Sequence, residues 1–237
     1  MKEGPILMNG AMVRATLAGD KTNTRRTQGL EFFSDNDAGN WRCVRVSGGN
    51  AYFVYGNSPK EHVEKCPYGQ PGDRLWVRET CRAEELDDGS DGVRYAADDA
   101  FIHIRAGAAE AEAWHKLFNY RGQQGAVVPS IHMPRWASRI LLEITSVRVE
   151  RLWNISEQDA LAEGIEKNWT GDPSKGQNGF GTVGWVPDCG WINYMEDMDG
   201  EPAYTPQDSF RSLWQSINGR DSWAANPWVW VVEFRRI

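Results

Sequence analysis

Ser138-Arg139-Ile140-Leu141-Leu142-Glu143-Ile144-Thr145-Ser146-Val147-Arg148-Val149-Glu150-Arg151-Leu152 is the segment on which the fold class turns. Ile140, Leu142 and Ile144 recur every second residue, the period of a strand with one apolar face. Val147 and Val149 continue with the opposite parity. The alternation therefore changes phase, and a bulge is expected near Ser146.

Working outward, Ser156-Glu157-Gln158-Asp159 sets a serine cap three residues before an acid. That pattern predicts a helix running to about Glu163 and stopping at Gly164. Thr205-Pro206-Gln207-Asp208 opens a second helix, with Phe210, Leu213, Trp214 and Ile217 on one face. Pro227 to Phe234 reads as a last strand that closes the sheet. Upstream, Leu75 to Thr80 is a strand leaving the Pro71-Gly72-Asp73 turn, and Trp41 to Tyr55 is a hairpin around Gly48-Gly49-Asn50. Between 81 and 129 the signal weakens: 84–92 reads as a surface loop, Val93 to Tyr95 as a strand, Ala108 to Leu117 as a helix. At the start, Gly4 to Asn9 is extended and Ala11 to Ala18 is a helix ending at Gly19. Residues 27–40 read as loop, and 167–204 as a long insertion rich in Gly, Asn, Asp and Trp. The expectation is a mainly β, α+β domain spanning residues 1–237, a small barrel or strongly curved sheet with peripheral helices.

Composition narrows the function classes. The 237 residues are 41% hydrophobic and 25% charged, which suits a globule with a sizeable core. No run approaches the roughly 20 apolar residues of a membrane helix, and Met1-Lys2-Glu3-Gly4-Pro5 carries no apolar leader, so no membrane partner and a cytoplasmic location are expected. A net charge of −7 argues against indiscriminate binding to phosphate backbones. Local islands differ: residues 14–26 carry +3 and residues 130–151 carry +2. If folding joined them they would form a groove for a polyanion. Cys43, Cys66, Cys81 and Cys189 lack C-x-x-C spacing, and the histidines lack a zinc pattern, so neither a metal nor a cofactor is expected. The 12 tryptophans serve either a core or base-stacking faces.

The run Asp20-Lys21-Thr22-Asn23-Thr24-Arg25-Arg26 concentrates chemistry. A lysine becomes a base only when burial or a cationic neighbour lowers its pKa, and Arg25 and Arg26 are such neighbours. A threonine hydroxyl needs such a base before it attacks a carbonyl. The same run also reads as a solvated basic loop.

Gly19 to Arg26 resembles the G-x-K-T-x-T-x-R signature of the ASCH family, within the PUA-like β-barrel superfamily. Pro71 to Val77 resembles that family's G-D-x-L-x-V turn and strand, and Ile155 to Gly164 its T/S-x-x-x-A-x-x-E-G helix. Taken with Arg78-Glu79-Thr80, His132 to Arg139 and Asn226 to Trp230, the chain is most similar to ASCH-like proteins of phages and prophages. The resemblance covers about half the chain. It implies a PUA-like barrel with insertions around 27–70, 81–130 and 166–205, in a bacterial host cytoplasm. One branch of the family deacylates N4-acetylcytidine with a lysine, a threonine and a glutamate. Those roles fall on Lys21 as base, Thr24 as nucleophile and Glu163 as acid, with Arg26 touching the substrate. Other ASCH-like proteins bind or cleave RNA, so a non-catalytic reader of RNA or modified DNA, or a ribonuclease, stands beside the amidohydrolase.

The cleft is expected to be lined by 20–26, 76–80 and 163, with Trp76, Arg78 and Glu79 in its wall. Glu79 reads as a second acid or as the ion-pair partner of Lys21 or Arg26. Arg135, Trp136 and Arg139 suit a backbone contact beside a stacked base. Trp214, Trp223, Trp228 and Trp230 read as core, and Trp169, Trp185 and Trp191 as a ligand-covering flap or a satellite core. The implied partner is a modified nucleoside, RNA or another single-stranded nucleic acid.

Overall fold

The structure is a computed structural model that describes residues 1–35, 40–166, 190–195 and 203–237. It is built around the segment quoted first. Leu141–Arg151 forms the longest strand, β10, with the expected register break between Ile144 and Ser146. The last strand, β11 (Trp228–Arg236), pairs antiparallel along nearly all of it. Strand β6 (Arg74–Arg78) flanks β10 on the other side, and β1 (Glu3–Leu7) lies parallel to β6. Strand β2 (Asn23–Arg26) adds to the free side of β11, giving the order β1-β6-β10-β11-β2. Val229, Trp230, Val231 and Val232 are all buried, so β11 is covered on both faces. It is a nearly continuous apolar run for that reason.

Two smaller sheets complete the α+β architecture: β3 (Trp41–Ser47), β4 (Asn50–Tyr55) and β5 (Glu61–Lys65), then β7 (Cys81–Glu85), β8 (Asp91–Tyr95) and β9 (Phe101–His103). The three sheets are not closed into one barrel by a strand ladder. A side chain spans the gap instead: Arg26, on edge strand β2, donates to the Leu7 carbonyl of the opposite edge strand β1 at 2.8 Å.

The helices are α1 (Gly10–Ala18), α2 (Glu31–Asp35), α3 (Ala108–Phe118), α4 (Glu157–Ala162) and α5 (Pro206–Asn218). Their caps follow the sequence. Asn9, Ser156 and Thr205 side chains accept from Met12, Asp159 and Asp208 N–H groups, satisfying donors that a helix start leaves open. Gly19 ends α1 at φ +89°.

The segments read as insertions behave differently from one another. The described part of 27–70 contributes to the main core: Phe33 of α2 stacks on Phe53 of β4 at 4.0 Å, and Phe53 meets Trp228 edge-on at 5.5 Å. The stretch 27–40, expected as loop, thus contains α2, whose apolar pair is held by tertiary packing rather than by length. The β7–β9 sheet and α3 instead gather a separate apolar cluster around Trp114, Tyr95 and Met133. The region expected as a loop over 84–92 is a turn at 86–90, with the ends of β7 and β8 extending into it on either side. Trp169, Trp185 and Cys189 lie outside the described residues. Trp191 is half-buried against the main core. No helix among the described residues is long and apolar enough to cross a membrane.

Candidate active site

Lys21 and Glu163 meet. The Lys21 side chain is fully buried, and Glu163 is 2% exposed. Lys21 Nζ donates to Glu163 Oε2 at 2.7 Å, to the Glu163 carbonyl at 2.8 Å and to the Asn23 carbonyl at 2.8 Å. All three ammonium protons are therefore placed. Burial pushes the Lys21 pKa below its ordinary value, against the opposing pull of Glu163.

Local structure explains the meeting. Helix α4 ends at Glu163, and Gly164 turns the chain at φ +77°. A Cβ on Gly164 would lie 2.6 Å from Ala15 Cβ and 2.8 Å from Lys21 Cβ, so glycine is needed both for the turn and for the close approach of α4 to α1 and Lys21. The Phe234 N–H donates to the Thr22 carbonyl. That bond directs the even residues of β2 toward β11 and leaves the backbone groups of Asn23 and Arg25 at the free edge. Lys21 takes the Asn23 carbonyl there.

Arg25 is the centre of the charge network. The sequence offered it only as a neighbour for Lys21, yet its buried guanidinium reaches Glu150 at 2.6 Å, Asp159 at 3.0 Å and Glu163 at 3.4 Å. Arg148 joins through Asp159 at 2.8 Å, Glu150 at 3.4 Å and a close contact to Glu233. Asn23 Nδ2 also donates to Asp159, at 3.2 Å. Burial acts to raise the Asp159 pKa, but Arg148 and Arg25 together outweigh it and hold the carboxyl below its usual value. The two basic islands do come together here, through Arg25 and Arg148. They face four carboxylates rather than an open groove, because buried guanidinium groups need counter-charges at hand.

Thr24, 1% exposed, borders a cavity of about 110 Å³. Its walls include Arg25, Arg26, Glu163, Gln28 and Tyr68, Met12 of α1, and Phe210, Leu213, Trp214, Ile217 and Asn218 of α5. Helix α5 supplies the wall that residues 76–80 were expected to supply. Its apolar face was visible in the sequence, but periodicity alone assigns such a face to the core and does not show that part of it borders a cavity. Arg25 Nε and Trp214 Nε1 are buried donors without a protein partner among the described residues.

The remaining candidates lie elsewhere. Glu79 is 1% exposed and pairs with Arg139, at 2.8 and 2.9 Å, instead of with Lys21 or Arg26. Arg139 also holds Asp98 through two bonds, so neither residue borders the Thr24 cavity. Trp76 and Arg78 miss the cavity because of alternation: Leu75 and Val77 of β6 face the core, and Arg74, Trp76 and Arg78 take the other face. Trp76 has the guanidinium groups of Arg78 at 5.0 Å and Arg135 at 5.8 Å from its ring. Arg135 pairs with Glu3, and Trp136 is 40% exposed. No group of three or more metal-ligating side chains occurs among the described residues.

Set against protein-family models, curated proteins and solved structures, the chain matches none of them.

Proposed function

We propose that the protein is an amidohydrolase that deacylates N4-acetylcytidine-type modified pyrimidines, on an ASCH-type, PUA-like frame. The observation that carries this reading is the buried 2.7 Å bond between Lys21 Nζ and Glu163 Oε2, beside a cavity bordered by Thr24 and Glu163. The Arg26 bond to Leu7, which draws the two sheet edges together, supports the PUA-like frame.

Proton transfer along the Lys21–Glu163 bond turns an ammonium and a carboxylate into an amine and a carboxylic acid. These are the base and the acid that the reaction needs. Once Nζ turns from Glu163 toward Thr24, the amine takes the Thr24 hydroxyl proton as Oγ1 bonds to the acyl carbon. The C–N bond then breaks, and Glu163 gives its proton to the leaving amine. This restores the ammonium and the carboxylate. Water next attacks the acyl-Thr24 ester, with the same pair carrying its proton, and releases the carboxylic acid. Burial favours the first transfer, since it lowers the Lys21 pKa. The Arg25 N–H, at the free edge of β2 directly after Thr24, is the donor offered to the developing oxyanion.

Incubation of the purified protein with N4-acetylcytidine is expected to yield cytidine and acetate, measured by chromatography. Thr24→Ala and Lys21→Met should each lower kcat by at least about 1,000-fold. Absence of release by the wild type, or wild-type turnover by Thr24→Ala, would overturn the reading. Cleavage of unmodified RNA would point to the ribonuclease instead, and binding without turnover to the reader.

The outward Trp76 face favours a second reading, in which the target base sits within an RNA strand. Trp76→Ala and Arg135→Ala should then weaken binding of a single-stranded oligonucleotide in fluorescence titrations. Arg135→Ala should also flatten the log–log salt slope by about 0.7, one phosphate contact. An unchanged affinity in both variants would remove this face from the function.

A further inference from the structure

We infer that helix α5 limits the substrate's acyl chain to about two or three carbons, because the Thr24 cavity is too small for a longer or aromatic one. This rests on the amidohydrolase reading and specifies which part of the substrate enters.

The volume sets the first constraint. About 110 Å³ is the liquid share of roughly three to four water molecules, and it is below the ~150 Å³ of a cavity known to take up benzene. A pyrimidine carrying its ribose stays outside, and the acyl group alone passes inward. Exposure sets the direction. Gln28 and Ile217 stand exposed at the rim, whereas Thr24, Met12 and Leu213 are buried. The reacting carbon has to reach Thr24, so its two substituents divide. The amide nitrogen leads back to the base at the rim, and the acyl chain takes the buried side between Met12 and Leu213. Methyl and ethyl groups gain apolar contact there. A longer chain has to displace Leu213, whose place is fixed by the packing of α5 against the sheet.

The test uses the full chain and four probes, the acetyl, propionyl, butyryl and benzoyl amides of cytidine, with kcat/KM read for each. Acetyl and propionyl should be released at similar efficiency, butyryl at least about 10-fold less efficiently, and benzoyl not at all. Leu213→Ala should raise the butyryl-to-acetyl ratio at least about 10-fold, and Leu213→Val should raise it less. Leu213→Val also serves if the alanine variant fails to fold. Equal efficiency across the four probes in the wild type, or an unchanged ratio in the Leu213 variants, overturns this inference and leaves the amidohydrolase standing. Release from none of the four overturns both.

Discussion

Glu163→Ala is expected to lose about 3–5 kcal/mol of unfolding free energy at pH 7, since it strands a buried ammonium. Lys21 Nζ would keep two carbonyl partners but no counter-charge, and Arg25 would lose one of its three carboxylates. Glu163→Gln is the informative companion. The amide oxygen still accepts a hydrogen bond, so the loss should be smaller, and its pH dependence identifies the cause. Attraction and hydrogen bonding from Glu163 are what oppose the burial of Lys21. Without that charge, the folded-state pKa of Lys21 falls further below the unfolded value of about 10.4. Across the interval between the two, the unfolded chain binds the additional proton, so stability rises with pH. The gap between wild type and Glu163→Gln should therefore narrow with rising pH below about 10.4, over the interval that separates their two folded-state Lys21 pKa values, in urea titrations. A pH-independent gap, or a loss under about 1 kcal/mol for Glu163→Ala, would show that the pair contributes no electrostatic stabilisation.

The sequence made the local elements legible and left their assembly obscure, for identifiable reasons. Caps at Ser156 and Thr205, the Gly19 stop and the phase change at Ser146 are written in neighbouring residues, so they could be read directly. Lys21, Thr24 and Glu163 were singled out by motif resemblance, and the first and last are in contact. Strand β2 was hidden because Asn23-Thr24-Arg25-Arg26 has no apolar alternation; the covering elements supply partners for its polar side chains instead. Arg25 looked like a neighbour for Lys21 because its three carboxylates lie more than a hundred residues away. Glu79 was misassigned for the same reason: its partner Arg139 is 60 residues distant, and sequence parity gives the face of a side chain but not what stands opposite.

Arg139→Met should open the second sheet locally, and cysteine labelling is the measurement that separates this from global unfolding. Arg139 is where the two apolar clusters are joined. It holds Glu79 at the end of β6 and Asp98 after β8, and its guanidinium lies 4.1 Å from the Tyr95 ring centroid. The Tyr95 hydroxyl in turn donates to the Ala137 carbonyl at 2.8 Å, and the Glu79 N–H contacts Met133 Sδ. Methionine fills similar space but strands the Glu79 carboxylate, 1% exposed, at a cost of about 3–5 kcal/mol. The least costly relief is for β7–β9 to swing away and let Glu79 reach water, since that sheet packs mainly on its own cluster. Cys81 reports the event: it is buried in that cluster, and desolvation, with the Glu79 charge second, pushes its thiol up to about 12. It should resist alkylation at about pH 8 in the wild type and react at least about 100-fold faster in Arg139→Met. Cys66 is buried in the main core and is the internal control. Mass spectrometry showing acceleration at Cys81 but not at Cys66 establishes a local opening. Equal acceleration at both means that the whole fold depends on Arg139, and no change at Cys81 means that the Glu79–Arg139 pair does not hold the second sheet in place.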